Sequence, residues 1–211
     1  MNKSFYRKVA FGLGVEDNIP DNPVDWAIEQ IQTLPELNWM GPVYTLNEMM
    51  NYHANYNYTD RRVLRKKHKD SRKGYKRAKK LLKYSTGHYY FEPLWLSIRH
   101  NEAVNGNTPV FHRFLHFWGN HFAIQKKNSM YVYDVGPYHR EVISPAMLKN
   151  IEDLVYEVTI SWAMIHNLDN SKSIGPNSPR AFKNMDRGKS ANLNENHGRE
   201  LLELHTVSPN A

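Results

Sequence analysis

The 211-residue sequence predicts an all-α protein, an irregular multi-helix bundle of about seven helices with little or no sheet. Three observations predict it. Apolar residues recur at three-and-four spacing in several segments, capping residues and prolines stand where those segments begin, and no period-two run is long enough to build a sheet. With 40% apolar residues, 5 Trp and 13 Tyr, most of the chain must pack, so residues 1–211 read as a single helical domain.

The elements follow in order. Asn22-Pro23 places a capping side chain before a proline whose missing N–H costs nothing at the first helical position. The helix behind it is expected to bury Val24, Ala27, Ile28 and Ile31 and to stop at Pro35. Thr45-Leu46-Asn47-Glu48 fits a capping box and opens a helix that presents Leu46, Met49, Met50 and His53 on one face and runs on towards a basic tract. Thr108-Pro109 repeats the cap-plus-proline signal and opens 110–122, apolar around nearly its whole circumference and so assigned to the core. Tyr131-Val132-Tyr133 fits one short strand. Ser144-Pro145 opens the longest amphipathic stretch, with Met147, Leu148, Ile151, Leu154, Val155, Val158, Trp162 and Ile165 on one helix that closes near Asp169-Asn170. Residues 171–193, rich in Ser, Asn, Pro, Gly and Lys, read as a loop. A last helix spans 195–205, capped by Asn192 or Asn194.

Charge is local. Residues 61–83 hold thirteen Lys or Arg against one acid, Asp70, whereas the rest of the chain holds fifteen basic and twenty acidic residues, so the net +7 reports one tract and not a basic surface. Its first cations, Arg61, Arg62, Arg65, Lys66 and Lys67, are candidate anion-binding groups. The tract is either an arm that docks an acidic partner or nucleic acid, with Tyr75 and Tyr84 available for stacking, or a solvated helix or excursion. No run approaches the roughly 18–20 apolar residues that span a bilayer, and the start of the chain lacks the apolar stretch of a secretory signal. Zero cysteines exclude disulfides and thiolate metal sites. There is no phosphate loop, dinucleotide fingerprint, Gly-x-Ser-x-Gly elbow or His-Glu-x-x-His, which removes the enzyme classes that depend on them.

Four segments carry a resemblance: Phe117-Trp118-Gly119-Asn120-His121-Phe122, Arg140-Glu141-Val142-Ile143-Ser144-Pro145-Ala146-Met147-Leu148, Ala163-Met164-Ile165-His166-Asn167-Leu168-Asp169-Asn170, and Asn194-Glu195-Asn196-His197-Gly198-Arg199-Glu200-Leu201-Leu202-Glu203-Leu204-His205-Thr206. In order and spacing they resemble the bacterial family catalogued as domain of unknown function 1800, over residues 109–211 with a weaker echo in Arg7 and Phe11-Gly12. The resemblance implies a largely helical protein, often exported, frequently encoded beside a second uncharacterised protein, with no established reaction. The family pattern has Tyr, Phe or Leu at His197 and Ala at Gly198, and family members continue beyond the Glu-Leu-His-Thr segment. The resemblance therefore implies that this chain matches an N-terminal portion of the family domain, with a truncated, inactive remnant as one outcome.

Two sets of residues are candidates for chemistry. His121, with Glu200 and Glu203 three apart on the last helix and His205 nearby, has the donor types of a divalent-metal site between helices, provided that the ligands converge within about 5 Å. Against it, Glu195, Arg199 and Glu203 recur every four residues and can form a carboxylate–arginine ladder. His121 can equally bond Asp169, Asn170 or a backbone carbonyl and lock two helices, so Asp169, Asn170, Glu195 and Arg199 are expected as structural polar residues. His112 and His116, four apart, share a face that suits a divalent ion but lack the glutamate of a zinc protease, and unrelated partners for each are expected.

Overall fold

The computed structural model describes residues 3–12, 21–85, 88–126, 131–188 and 192–207. The described residues are all-α, 71% helical with no strand, and form thirteen α-helical segments, several of them joined end to end, against the seven or so helices expected. In chain order they are α1 (Lys3–Val9), α2 (Pro23–Glu29), α3 (Leu46–Ala54), α4 (Arg61–Lys67), α5 (Arg72–Ser85), α6 (His88–Asn105), α7 (Pro109–His121), α8 (Tyr131–Pro137), α9 (Ser144–Ala146), α10 (Ile151–Ile160), α11 (Trp162–Asn167), α12 (Pro179–Met185) and α13 (Asn196–Glu200). Wide π-helical turns join α3 to α4, join α8 to α9, and extend α13 to Thr206.

The capping signals mostly work as chemistry. Asn22 accepts from the amides of Val24 and Asp25. Thr45 and Glu48 close both halves of their box, and α3 buries Met49 and His53. It continues through Asn55–Asp60 into α4, so one uninterrupted rod reaches the basic tract, as its pattern predicts. Thr108 makes no capping bond, and Oε1 of Gln30 instead accepts from the Val110 amide at 3.1 Å. Asn194 Oδ1 accepts from the Asn196 amide at 3.0 Å at the start of α13.

Four expectations are corrected. Residues 131–133 are helical, because the aromatic pair that reads as strand packs Tyr133 inward from the first turn of α8. The long helix expected from Ser144 breaks twice. Asn150 caps α10 by accepting from Asp153 at 2.8 Å, and Ser161 adopts extended backbone (φ −63°, ψ 143°), with its hydroxyl donating to Val158 O and accepting from Met164 N. α2 buries none of its residues, leaving Val24 and Ile28 about half exposed, and Trp26 packs edge-on against Tyr6 instead. α7 has a solvent face carrying Phe114 and Phe117, so it flanks the core and is not enclosed by it. Within 171–193, Ser178 caps α12 through the Ala181 amide; residues 189–191 lie outside the described residues.

Two apolar cores result. One gathers Phe122, Tyr138, Ile143, Leu154, Val158 and Met164 from α7 to α11. The other gathers Met49, Phe91, Trp95, Ile98, Val132 and Tyr133 from α3, α6 and α8. α6 carries the second core and is an element that the cap-and-proline signals leave unassigned. Its Pro93 sits inside the helix and removes one backbone donor there.

Candidate functional site

A cavity of about 260 Å³ opens between α6, α7 and α8, lined mostly by carbon. Helical spacing puts its polar groups there. Trp95, Arg99 and Glu102 follow one face of α6; His112 and His116 follow one face of α7; Gly136, His139 and Arg140 follow one face of α8 and the turn after it.

Two rungs connect α6 to α7. Arg99 Nε donates to His116 Nε2 at 3.1 Å, and an acceptor at Nε2 places the proton of that neutral ring on Nδ1. One turn away, Glu102 Oε2 lies 3.5 Å from His112 Nε2. Both residues of this second pair are more than nine-tenths buried (4% and 6% exposed), and neither Glu102 Oε1 nor His112 Nε2 has a hydrogen-bond partner among the described residues. Burial raises the Glu102 carboxyl, against hydrogen bonds from Asn38 and Asn101 that lower it. Burial depresses His112 to about 4. Burial, then the Arg99 charge, depress His116 to about 4, and burial followed by Arg99 and His116 takes His139 to about 3. Burial also lowers Arg99, which has no carboxylate within ion-pair distance among the described residues.

The third wall depends on close packing. Trp95 donates from Nε1 to Val132 O at 3.0 Å, and the Arg140 guanidinium lies 5.6 Å over its ring. Arg140 also donates to the Tyr44 carbonyl and to Glu141, whose carboxylate accepts the Leu46 amide at 3.0 Å. The Arg140-Glu141 pair therefore clamps the start of α3 to the cavity wall. Glycine is required at Gly136, and Gly119 leaves little room to spare. A Cβ at Gly136 would lie 2.2 Å from the Trp95 ring, and one at Gly119 would lie 3.0 Å from His139.

The residues named from the sequence lie elsewhere. His121 is exposed, with Nε2 3.1 Å from the His205 carbonyl and its ring 6.3 Å from the His205 ring. Glu203 is taken up by the ladder: Arg199 reaches Glu195 at 2.5 Å and Glu203 at 4.0 Å. No group of three or more His, Asp or Glu among the described residues could hold a metal ion, so His121, Glu200, Glu203 and His205 do not assemble as a ligand set. The expected polar core is a surface: Glu195 and Arg199 are exposed, Asp169 pairs with Lys172 at 2.7 Å in left-handed backbone (φ 62°), and Asn170 bonds Ser173. His197 is buried and bonds the Thr159 backbone, which ties α13 to α10. His112 and His116 do share a face and have unrelated partners, Glu102 and Arg99, but α6, which supplies those partners, carries no motif that would have announced them.

In the basic tract, Arg61 bonds Asn57 Oδ1 at 2.9 Å and the Tyr75 hydroxyl, joining α4 to α5. Burial pulls the Tyr75 phenol up, but Arg61 and Arg65 together outweigh it and hold the group below its ordinary value. Neither α4 nor α5 contains a buried residue, and no cation of 61–83 forms an ion pair among the described residues. No described helix is long and apolar enough to cross a membrane.

No curated protein and no solved structure matches the chain. The family model described as "Protein of unknown function (DUF1800)" matches residues 11–211, extending the likeness of 109–211 back through the α6 wall of the cavity to Phe11, whose ring packs edge-on against His116. The chain belongs to the DUF1800 family.

Proposed function

We propose that this protein binds a small organic anion with an apolar body in the cavity between α6, α7 and α8. The observation that carries this is Arg99: a partly buried guanidinium in a carbon-lined cavity, held through Nε by a neutral imidazole, with no countercharge among the described residues. A guanidinium presents a planar fork of donors that matches a carboxylate in two parallel bonds, and charge-assisted bonds of this kind contribute about 1.5–3 kcal/mol. Leu96, Phe111 and Leu115 offer dispersion contact to the rest of the ligand.

Calorimetric titration of the full chain with phenylacetate is the test, with phenylacetamide as the neutral control. The acid is expected to bind and the amide not, and Arg99→Gln is expected to weaken the acid by about 10-fold or more, the loss of one charge-assisted contact. Equal affinity for acid and amide, or an unchanged Arg99→Gln variant, would overturn the proposal.

A second function has its own support, the cations of α4 and α5 without ion pairs, which suit a polyanion such as single-stranded nucleic acid. Exposed Tyr84, whose ring lies 4.5 Å from that of Tyr89 at a tilt of 42°, offers an aromatic face to a base. Fluorescence anisotropy with a labelled oligonucleotide is expected to lose about 10-fold or more in affinity between roughly 50 and 200 mM salt. A variant with Arg62, Arg65, Lys66 and Lys67 changed to Gln is expected to weaken binding and flatten the salt slope. Binding insensitive to both would rule it out.

A further inference from the structure

We infer that Glu102 and His112 form a second, hydrogen-bonding subsite of the same cavity, one helical turn from Arg99, which selects an anion carrying a hydroxyl group on its apolar body; this rests on the anion-binding function proposed above. Buried polar atoms in folded proteins nearly all have partners, and an orphan costs about 1–3 kcal/mol. Here two orphans stand side by side. Glu102 Oε1 and His112 Nε2 belong to side chains that are more than nine-tenths buried and line the cavity, and the 3.5 Å from Glu102 Oε2 to His112 Nε2 is too long to satisfy the imidazole.

The chemistry of the pair narrows what can answer it. A carboxyl beside an imidazole offers an acceptor on one side and, by choice of tautomer, a donor or an acceptor on the other. A hydroxyl both donates and accepts, so one such group bridges Glu102 and His112, whereas a methyl or an aromatic C–H leaves both unanswered. A second carboxylate fits poorly, because it would face Glu102 in a site with little water.

The spacing narrows it further. Arg99 precedes Glu102 by three residues on α6 and His116 follows His112 by four on α7, so the two rungs are about 4.5–6 Å apart along the helices. A ligand that meets both has its anionic end and its hydroxyl separated by about that distance across an apolar body. A meta-hydroxylated aryl acetate meets that description.

The test compares phenylacetate with 3-hydroxyphenylacetate by calorimetry on the full chain. A site built to bond a hydroxyl discriminates strongly against the analogue without it, and the hydroxylated probe is expected to bind about 30-fold tighter or better. The double variant Glu102→Leu/His112→Leu removes both polar groups at once, which avoids stranding one buried partner and is the change best tolerated by the fold. In that variant the ratio is expected to fall to about one, because neither polar group is left to tell the hydroxylated probe from the plain one. A wild-type ratio within about threefold overturns this inference whether or not the double variant folds, and so does a ratio that survives in the double variant. Absence of binding by both probes, or binding indifferent to Arg99→Gln, instead overturns the anion-binding function and this inference with it.

Discussion

Gly136→Ala is expected to destabilise the protein by about 3 kcal/mol, the upper end for a single overpacked methyl, and to lower the midpoint of thermal unfolding by roughly 6–12 °C. The added Cβ would lie 2.2 Å from Trp95 Cδ2 and 2.6 Å from Cγ and Cε3, all less than real contacts allow. Relief requires the indole to move, and the indole is held on every side. Its Nε1 donates to Val132 O, Phe91 lies parallel to it, Tyr44 meets it edge-on, and Arg140 lies over its ring. Val132 and Gly136 are one turn apart on α8, so the same helix supplies the acceptor that fixes the ring and the gap that admits it. Because Trp95, Gly136 and Arg140 also line the cavity, anion binding is expected to fail together with stability. Gly198→Ala is the control: nothing lies within 4 Å of the added Cβ on exposed α13, and replacing a helical glycine there is expected to be neutral or to stabilise by about 0.5–1 kcal/mol. Denaturant melts of the two variants check the contrast, and a Gly136→Ala protein as stable as wild type would mean that Trp95 is not packed as described.

The same residues explain how much of this was legible in the sequence. Thr45 and Glu48 announced a helix correctly because a capping box is local chemistry, completed within four residues. The fold class was legible for the same reason, from many local stripes that each say helix. Ser161 illustrates the limit: the apolar stripe runs straight through it, but its hydroxyl competes for the backbone and turns the chain, and periodicity carries no record of that competition. The site was legible in one half only. His112 and His116 were visible as a pair because they are four apart on one helix, whereas their partners Glu102 and Arg99 lie on another helix, interrupted by Pro93, and meet them only through tertiary packing. His121 misled in the opposite sense. Motif density drew it towards Glu200 and Glu203, but Arg199 satisfies Glu203, and His121 Nε2 lies beside the His205 backbone carbonyl.

Stability is expected to peak slightly below neutral pH and to fall on both sides, steeply in acid. The signs follow from the direction of each shift. His112, His116 and His139 are depressed by burial to about 4, 4 and 3, so the folded state resists protons that the unfolded chain takes up; the stability they contribute is present above about 6.5 and is lost as pH falls towards 4 and 3. Asp134 runs the other way. Burial raises its carboxyl to about 8, so the neutral form is the folded one, and its contribution is present below about 4 and is lost as pH rises to 8. Near pH 5 the unfolded chain thus holds about three more protons on the histidines and about one fewer on Asp134, a net of about two, or an upper limit near 2.7 kcal/mol per pH unit, less for the partly exposed His116. Above pH 7 the histidine contribution levels off and Asp134 leaves a decline of up to about 1.4 kcal/mol per unit. Urea titrations from pH 4.5 to 8.5 check this, and Asp134→Asn supplies the decisive comparison. It keeps the shape of the side chain but cannot ionise, so the alkaline decline is expected to shrink while the acid limb steepens, having lost a group that opposed it. An alkaline limb unchanged in Asp134→Asn would show that the carboxyl ionises in the folded state as freely as in the unfolded one, which a group 3% exposed, with Oδ1 unpartnered among the described residues, has no means to do.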